Sequence, residues 1–422
     1  MILVGLLLYF LQQSEGQDSF PTEQVLVHNS RGVKNAYCLD GSPPIYYLSR
    51  GLQRTKWLIW HEGGDWCDRI PKPQLRGERA EWSCLVRSVR RLGSSQHEDK
   101  ANARTGFYPT NLTGFGYHFG VFSREPSRNS MHDWNHVMVR YCDGGSFSGT
   151  VRRRAAAEPG AQGPAVLHMR GRAALKAVMK DLLESRGLAE ASVVVVAGAS
   201  AGGLGVLMQG DDWSRAISRE AASRGLQAPK IALLVDSGFF PAFQASALSC
   251  RYRERMRAVH KLHRPTSLAL KRCKASNPAD PARCMFAAAL VPFVETPLFA
   301  GLSAYDSWSI PRVLCTDDPR RITAHGEALR GELAEAFAAS ERPHGLYIDS
   351  CRHHGKCWHK PMVGGVSMDS AFSRWLGASP QRAMSVRRLL RGALLPARAQ
   401  PHTGRWQPRG RLLRGGTPAG NP

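Results

Sequence analysis

Gly198-Ala199-Ser200-Ala201-Gly202 places a serine with an alanine on each side and a glycine beyond each alanine. A serine so placed is a candidate nucleophile for acyl transfer, provided that a base and an orienting acid can reach it. In a hydrolase of this type the acid and then the base follow the serine in the chain. His354, in Asp349-Ser350-Cys351-Arg352-His353-His354, is the candidate base, with His353 as its competitor. For the acid, Asp306 in Ala304-Tyr305-Asp306-Ser307-Trp308 and Asp236 in Val235-Asp236-Ser237-Gly238 stand nearly even on residue type and spacing. The oxyanion of a tetrahedral intermediate needs backbone N–H donors. Ala201 supplies one, and Glu62-Gly63-Gly64-Asp65-Trp66-Cys67 is placed to supply a second, although paired glycines there also suit an ordinary turn. A phosphate-cradling reading of the glycines around Ser200 is weak, because no Gly-Lys-Ser/Thr follows them.

These residues need elements to hold them. Residues 193–196 are four consecutive valines, a β-branched run without alternation that predicts a strand covered on both faces. The run leads into the serine, and Gly203-Leu204-Gly205-Val206-Leu207-Met208 after it can open a helix, so the motif has the strand-turn-helix context of a nucleophile elbow. Residues 24–28, 56–61, 134–141, 231–235, 296–300 and 345–348 read as further strands, 171–185 as an amphipathic helix and 322–339 as a further helix. Strands alternating with helices predict an α/β architecture with a mostly parallel central sheet flanked by helices. Residues 151–164, basic and without periodicity, read as an exposed loop insertion.

Composition sets the wider bounds. The 57 Lys+Arg against 34 Asp+Glu give a formal charge of +23, which favours acidic partners such as a uronate polymer. Nine arginines and no acidic residue follow Gly377, so much of this excess belongs to a tail rich in Arg, Pro and Gly that reads as disordered. The arginines show no repeating pattern of interleaved aromatic residues, so no nucleic-acid partner is expected. The apolar run near Met1 is too short to span a bilayer at about 20 residues per helix and suits a signal peptide over 1–17. Ten cysteines, with no Cys-x-x-Cys pair, fit disulfides in an oxidising compartment better than zinc. Cys67/Cys84, Cys273/Cys284 and Cys351/Cys357 are spaced to close small loops, and Asn111-Leu112-Thr113 is a glycosylation sequon.

Several stretches together resemble the pectin acetylesterase family, which includes Notum. They are Ala36-Tyr37-Cys38-Leu39-Asp40-Gly41-Ser42, Glu62-Gly63-Gly64-Asp65-Trp66-Cys67, Arg140-Tyr141-Cys142-Asp143-Gly144-Gly145-Ser146-Phe147, Asp236-Ser237-Gly238-Phe239-Phe240 and Thr296-Pro297-Leu298-Phe299, along with the segments around Ser200, Asp306 and His354. The resemblance covers roughly residues 25 to 377 and is closer to the plant-type enzymes. It implies an α/β-hydrolase-like esterase domain over 20–377, with a basic tail over 378–422. It also implies carboxylester hydrolysis without a cofactor or metal, an acetylated polysaccharide as substrate, and a secreted, extracellular or cell-wall location. The catalytic residues it implies are Ser200, Asp306 and His354, with oxyanion donors at the backbone of Gly64, Asp65 and Ala201. Lipid-ester removal from protein and an inactive carbohydrate-binding role are the alternatives. Two departures stand out: Asp65 replaces the third glycine usual in plant-type members, and Cys357 lies one residue later than the family spacing.

Overall fold

Valine and tryptophan runs build the middle of one eight-stranded sheet. In the computed structural model the described residues are 20–27, 32–69, 82–96, 120–154, 164–242, 251–355 and 357–378. The expected signal peptide, the sequon and the arginine tail beyond Ala378 lie outside them. The strands are β1 (Thr22–Leu26), β2 (Ile45–Ser49), β3 (Gln53–His61), β4 (Trp134–Val139), β5 (Val151–Arg154), β6 (Val166–Met169), β7 (Val193–Ala199), β8 (Lys230–Asp236), β9 (Leu298–Ser303) and β10 (Gly345–Asp349). The main helices are α1 (Cys84–Ser88), α2 (Gly171–Ser185), α3 (Ala201–Ser223), α4 (Tyr252–His263), α5 (Leu268–Ser276), α6 (Pro319–Ala338) and α7 (Met368–Gly377).

The sheet runs β1-β2-β4-β3-β7-β8-β9-β10. From β4 to β10 every neighbouring pair is parallel, and only the β1–β2 and β2–β4 pairs are antiparallel. This is the mostly parallel architecture expected from the alternation of strands and helices. The valine run behaves as read: Val194 and Val196 enter one hydrophobic core and Val195 and Ala197 the other. Trp57 and Ile59 on β3 join the first core, Leu58 and Trp60 the second. Helices cover both faces of the sheet, so these central strands carry apolar side chains in both directions.

Register then decides where the chemistry can sit. His61 pairs with Gly198, Ala199 with Asp236, Asp236 with Gly301, and Asp349 with Ser303. The carboxyl ends of five parallel strands therefore finish side by side. The segments that leave them carry Glu62–Trp66, Ser200, Ser237, Asp306 and His354, and the mouth of an open α/β sheet is where such folds bind ligands.

The structure departs from the sequence reading in several details, and β2 and β6 have no counterpart in it. Residues 151–154 are not loop but form β5, antiparallel to β6, with Val151 and Arg153 half-buried and Arg152 and Arg154 exposed. Val-Arg-Arg-Arg hides a strand because a long arginine stem can cover a pleated face while its charge stays in water. Cys67–Cys84 and Cys273–Cys284 are bridged as expected, and Cys38–Cys142 is a further disulfide across 104 residues, a pairing that spacing does not announce. The expected Cys351–Cys357 bridge is absent: Cys351 is exposed, and the Cys357 thiol is instead a partner of His353.

A buried histidine joins the sheet to α3. His61 Nδ1 donates to Ala197 O at 2.9 Å, and its Nε2 accepts from Trp213 Nε1–H at 3.0 Å. Both nitrogens are committed in the neutral form, and burial pushes the imidazole down to about 4. His263, buried beside the Cys67–Cys84 disulfide, is lowered to about 4 by the same cause. Both groups bind a proton more readily unfolded than folded, so their contribution is complete above pH ~6.5 and is lost as pH falls toward 4. His353 has the opposite sign. Burial lowers it, but the Asp349 carboxylate at 2.8 Å and the Cys357 thiol outweigh burial and raise it to about 10. Its contribution is complete below pH ~6.5 and is lost as pH rises toward 10. Thermal unfolding followed by circular dichroism should give a Tm that is highest near neutrality and falls on both sides; a Tm that climbs steadily from pH 7 to pH 4.5 would contradict these histidine environments.

Candidate active site

Ser200 stands between β7 and α3 with φ 55° and ψ −128°. This is a sparsely populated region for a residue with a Cβ, and surrounding contacts must hold it there. Its N–H donates to Asp236 O at 2.9 Å, and its carbonyl accepts from Leu204 N–H at 3.0 Å, opening α3. Two glycines make room. A Cβ on Gly202 would lie 2.2 Å from His61 O, and one on Gly63 would lie 2.5 Å from Ala199 O and 2.9 Å from Ser200 Cβ. The flanking small residues of the motif therefore let the loop after β3 pass directly over the serine. The helix N-terminus beneath Ser200 also favours negative charge developing there.

His354 lies at the same end of the sheet, beyond β10. Its Nδ1 is 2.6 Å from Asp306 Oδ2, and the other oxygen of Asp306 accepts the N–H groups of Trp308 at 3.0 Å and Ser309 at 2.7 Å. Nδ1–H donates to the carboxylate, which leaves Nε2 with a lone pair. That nitrogen is buried and has no hydrogen-bond partner among the described residues. Trp308 stacks on the ring, with centroids 5.8 Å apart and planes inclined by 28°. The competitor His353 is instead bound to Asp349 and Cys357. Of the two candidate acids, Asp306 is thus the one hydrogen-bonded to His354. Asp236 is also buried here; burial raises its carboxyl to about 6, against the opposing effects of the Ser237 hydroxyl and the His354 and His353 charges.

The loop that passes over Ser200 is held by buried ions. Glu62 Oε1 accepts from Arg140 Nη1 at 2.7 Å and Arg91 Nη1 at 3.0 Å, while its Oε2 accepts from Tyr141 N–H at 3.0 Å. Arg87 donates to Gly64 O, and Tyr141 donates from its hydroxyl to Asp65 O at 2.8 Å. In a trans peptide the N–H points opposite the C=O. Fixing the Gly64 carbonyl against Arg87 therefore turns the Asp65 N–H away from it. Ala201, the first residue of α3, is fully buried, and its carbonyl accepts the Ser146 hydroxyl, which in turn accepts Trp66 Nε1–H. Sequence reasoning singled out the glycines and missed their supports, Glu62, Arg87 and Arg140. The available signal was a charged residue directly after each of two apolar strands.

Comparison with known proteins decides the family. A family model described as Pectinacetylesterase matches residues 16–387. The chain belongs to this family. Pectin acetylesterase 5 of Arabidopsis thaliana is 29% identical over 81% of this chain and 77% of that protein. The palmitoleoyl-protein carboxylesterase notum1a of Danio rerio is 27% identical over 80% of this chain and 63% of its own length. Among solved structures, the Wnt deacylase Notum from Drosophila superposes with a TM-score of 0.64 at 26% identity, covering 84% of this chain and 92% of that one. The fold is accordingly the Notum-like α/β-hydrolase fold, and this pectinacetylesterase-family chain is a carboxylic ester hydrolase.

Within that family the charge at Asp65 calls for a physical account. Asp65 has φ 59°, a conformation natural for glycine, and its Oδ2 lies 3.9 Å from Arg312 Nη1. Arg312 sits one turn beyond Trp308, to whose carbonyl its N–H donates at 3.2 Å. The guanidinium offsets part of the negative charge of Asp65, whose backbone N–H is one of the expected oxyanion donors. Arg312→Ala should therefore lower kcat on p-nitrophenyl acetate about 10-fold, and adding Asp65→Gly should restore most of it; a double variant no faster than Arg312→Ala would show that the two charges are not coupled.

Proposed function

We propose that the chain is a secreted serine esterase that removes acetyl groups from an acetylated, pectin-like polysaccharide through an acyl-enzyme. The observation that carries this reading is the His354–Asp306 hydrogen bond of 2.6 Å at the strand ends that also carry the Ser200 elbow. His354 Nε2 takes the Ser200 proton as the hydroxyl oxygen attacks the ester carbonyl. The resulting oxyanion is met by N–H groups of Ala201, Gly64 and Asp65. The tetrahedral intermediate collapses as His354 returns the proton to the departing sugar oxygen. Water, deprotonated by His354, then attacks the acyl-enzyme; the bond from Ser200 Oγ to the acyl carbon breaks, His354 returns the proton to Oγ, and acetate leaves. Asp306 keeps the histidine in the Nδ1–H form and stabilises the imidazolium. Its two backbone donors hold the carboxylate in place while the proton moves.

Support for the acetyl substrate comes from the plant relatives and from the stretch 140–147, which is of plant type. The basic surface and arginine tail supply contacts for an acidic polymer chain. The likeness to Notum favours a second reading, removal of a lipid acyl group from protein. Chain-length preference separates the two. A sugar acetylesterase should prefer p-nitrophenyl acetate to the octanoate in kcat/KM, and the reverse order would favour the lipid reading.

Ser200→Ala should lower kcat on the acetate ester at least about 10³-fold and abolish covalent labelling by a fluorophosphonate, with the circular dichroism spectrum unchanged. His354→Ala should behave similarly. Asp306→Asn should retain labelling at a rate reduced by several orders of magnitude. Labelling of Ser200→Ala at the wild-type rate would overturn the assignment of the nucleophile.

A further inference from the structure

Ser237 follows β8 directly, is 4% exposed and has φ 49°. Serine is strained in that left-handed region, which suits glycine, and the residue that follows is a glycine. Its side chain makes two hydrogen bonds. The hydroxyl accepts the N–H of Gly355, the residue after His354, at 2.8 Å, and donates to Asp236 Oδ1 at 2.9 Å. Its own N–H donates to Gly301 O on β9 at 2.8 Å. One residue earlier, the Asp236 carbonyl accepts the Ser200 N–H at 2.9 Å. Two adjacent residues thus hold the nucleophile through a main-chain oxygen and the loop of the base through a side-chain oxygen.

We infer that Ser237 is a positioning residue for the esterase reaction, its hydroxyl setting the distance between the His354 loop and the Ser200 elbow. This rests on Ser200 and His354 acting as nucleophile and base. Asp306 holds His354 at Nδ1 and Trp308 stacks on its ring, but neither contact fixes the backbone that carries the ring. The Gly355 N–H on Ser237 supplies a second anchor in the adjoining peptide, and two anchors define where Nε2 points. The Asp236 carboxylate completes the chain of bonds by orienting the Ser237 hydroxyl, so that its lone pair faces Gly355. The left-handed backbone at Ser237 places Oγ beneath the His354 loop, and glycine, the residue best suited to that backbone, would lack the hydroxyl.

That contrast gives the test. Ser237→Gly relieves the backbone strain while removing the hydroxyl, and Ser237→Ala removes the hydroxyl and keeps the strain. On full-length chain with p-nitrophenyl acetate, both should lower kcat about 10- to 100-fold at nearly constant KM, because a misplaced base costs rate without costing binding. Ser237→Gly should melt within a few degrees of wild type, and its fluorophosphonate labelling rate should fall in step with kcat. Wild-type kcat in Ser237→Gly overturns the inference, as does a kcat loss matched by loss of folded protein. Ser200→Ala is measured alongside. If it is inactive while Ser237→Gly is fully active, only the positioning role fails; if Ser200→Ala keeps turning over, the nucleophile assignment fails and takes this role with it.

Discussion

Ser200 is held in a backbone conformation that a serine avoids, and much of the surrounding structure is what holds it. Strand β7 must stop at Ala199, α3 must start at Ala201, and the loop after β3 must cross at a distance that no side chain at positions 63 or 202 permits. That crossing in turn requires Glu62 to be anchored, which explains why its buried carboxylate is paired with the buried Arg140 and the half-buried Arg91. Burying such an ion set costs desolvation and contributes little net stability. Its return is geometric: the Gly64 and Asp65 peptides acquire one orientation rather than several.

The parts of this arrangement legible in the sequence were those with a local signature. The valine run, the glycines around Ser200 and the amphipathic helix over 171–185 each follow from patterns within a few residues, and each is present in the structure. The family pattern named Asp306 and His354, where composition and spacing left Asp236 and His353 in contention. Asp306 bonds His354, whereas Asp236 lies buried beside the pair, so two carboxylates at neighbouring strand ends had looked equivalent. The hydrogen bond to His354 distinguishes them, and it joins residues 48 apart in the chain.

What stayed hidden was long-range or disguised. The Cys38–Cys142 disulfide joins residues 104 apart, and nothing near either cysteine announces it. Strand β5 is masked by three arginines, of which Arg153 lies on the half-buried face beside Val151. The closeness of Cys351 and Cys357 suggests a small closed loop, yet the two are not bridged and His353 takes the Cys357 thiol as its partner. Neighbouring histidines thus divide their roles according to their acidic partners: His353 is tied to Asp349 and His354 to Asp306.

The alignment of five strand ends also has a bearing on how the chain comes into being. Glu62, Ser200, Ser237, Asp306 and His354 are spread over nearly the whole described length, and the histidine arrives last, after β10. On the proposed roles, a chain that extends only as far as α6 would hold the serine, the crossing loop and the acid but not the base. On that reading ester hydrolysis would require β10 and the loop after it to be in place, so turnover would report the docking of the last strand of the sheet.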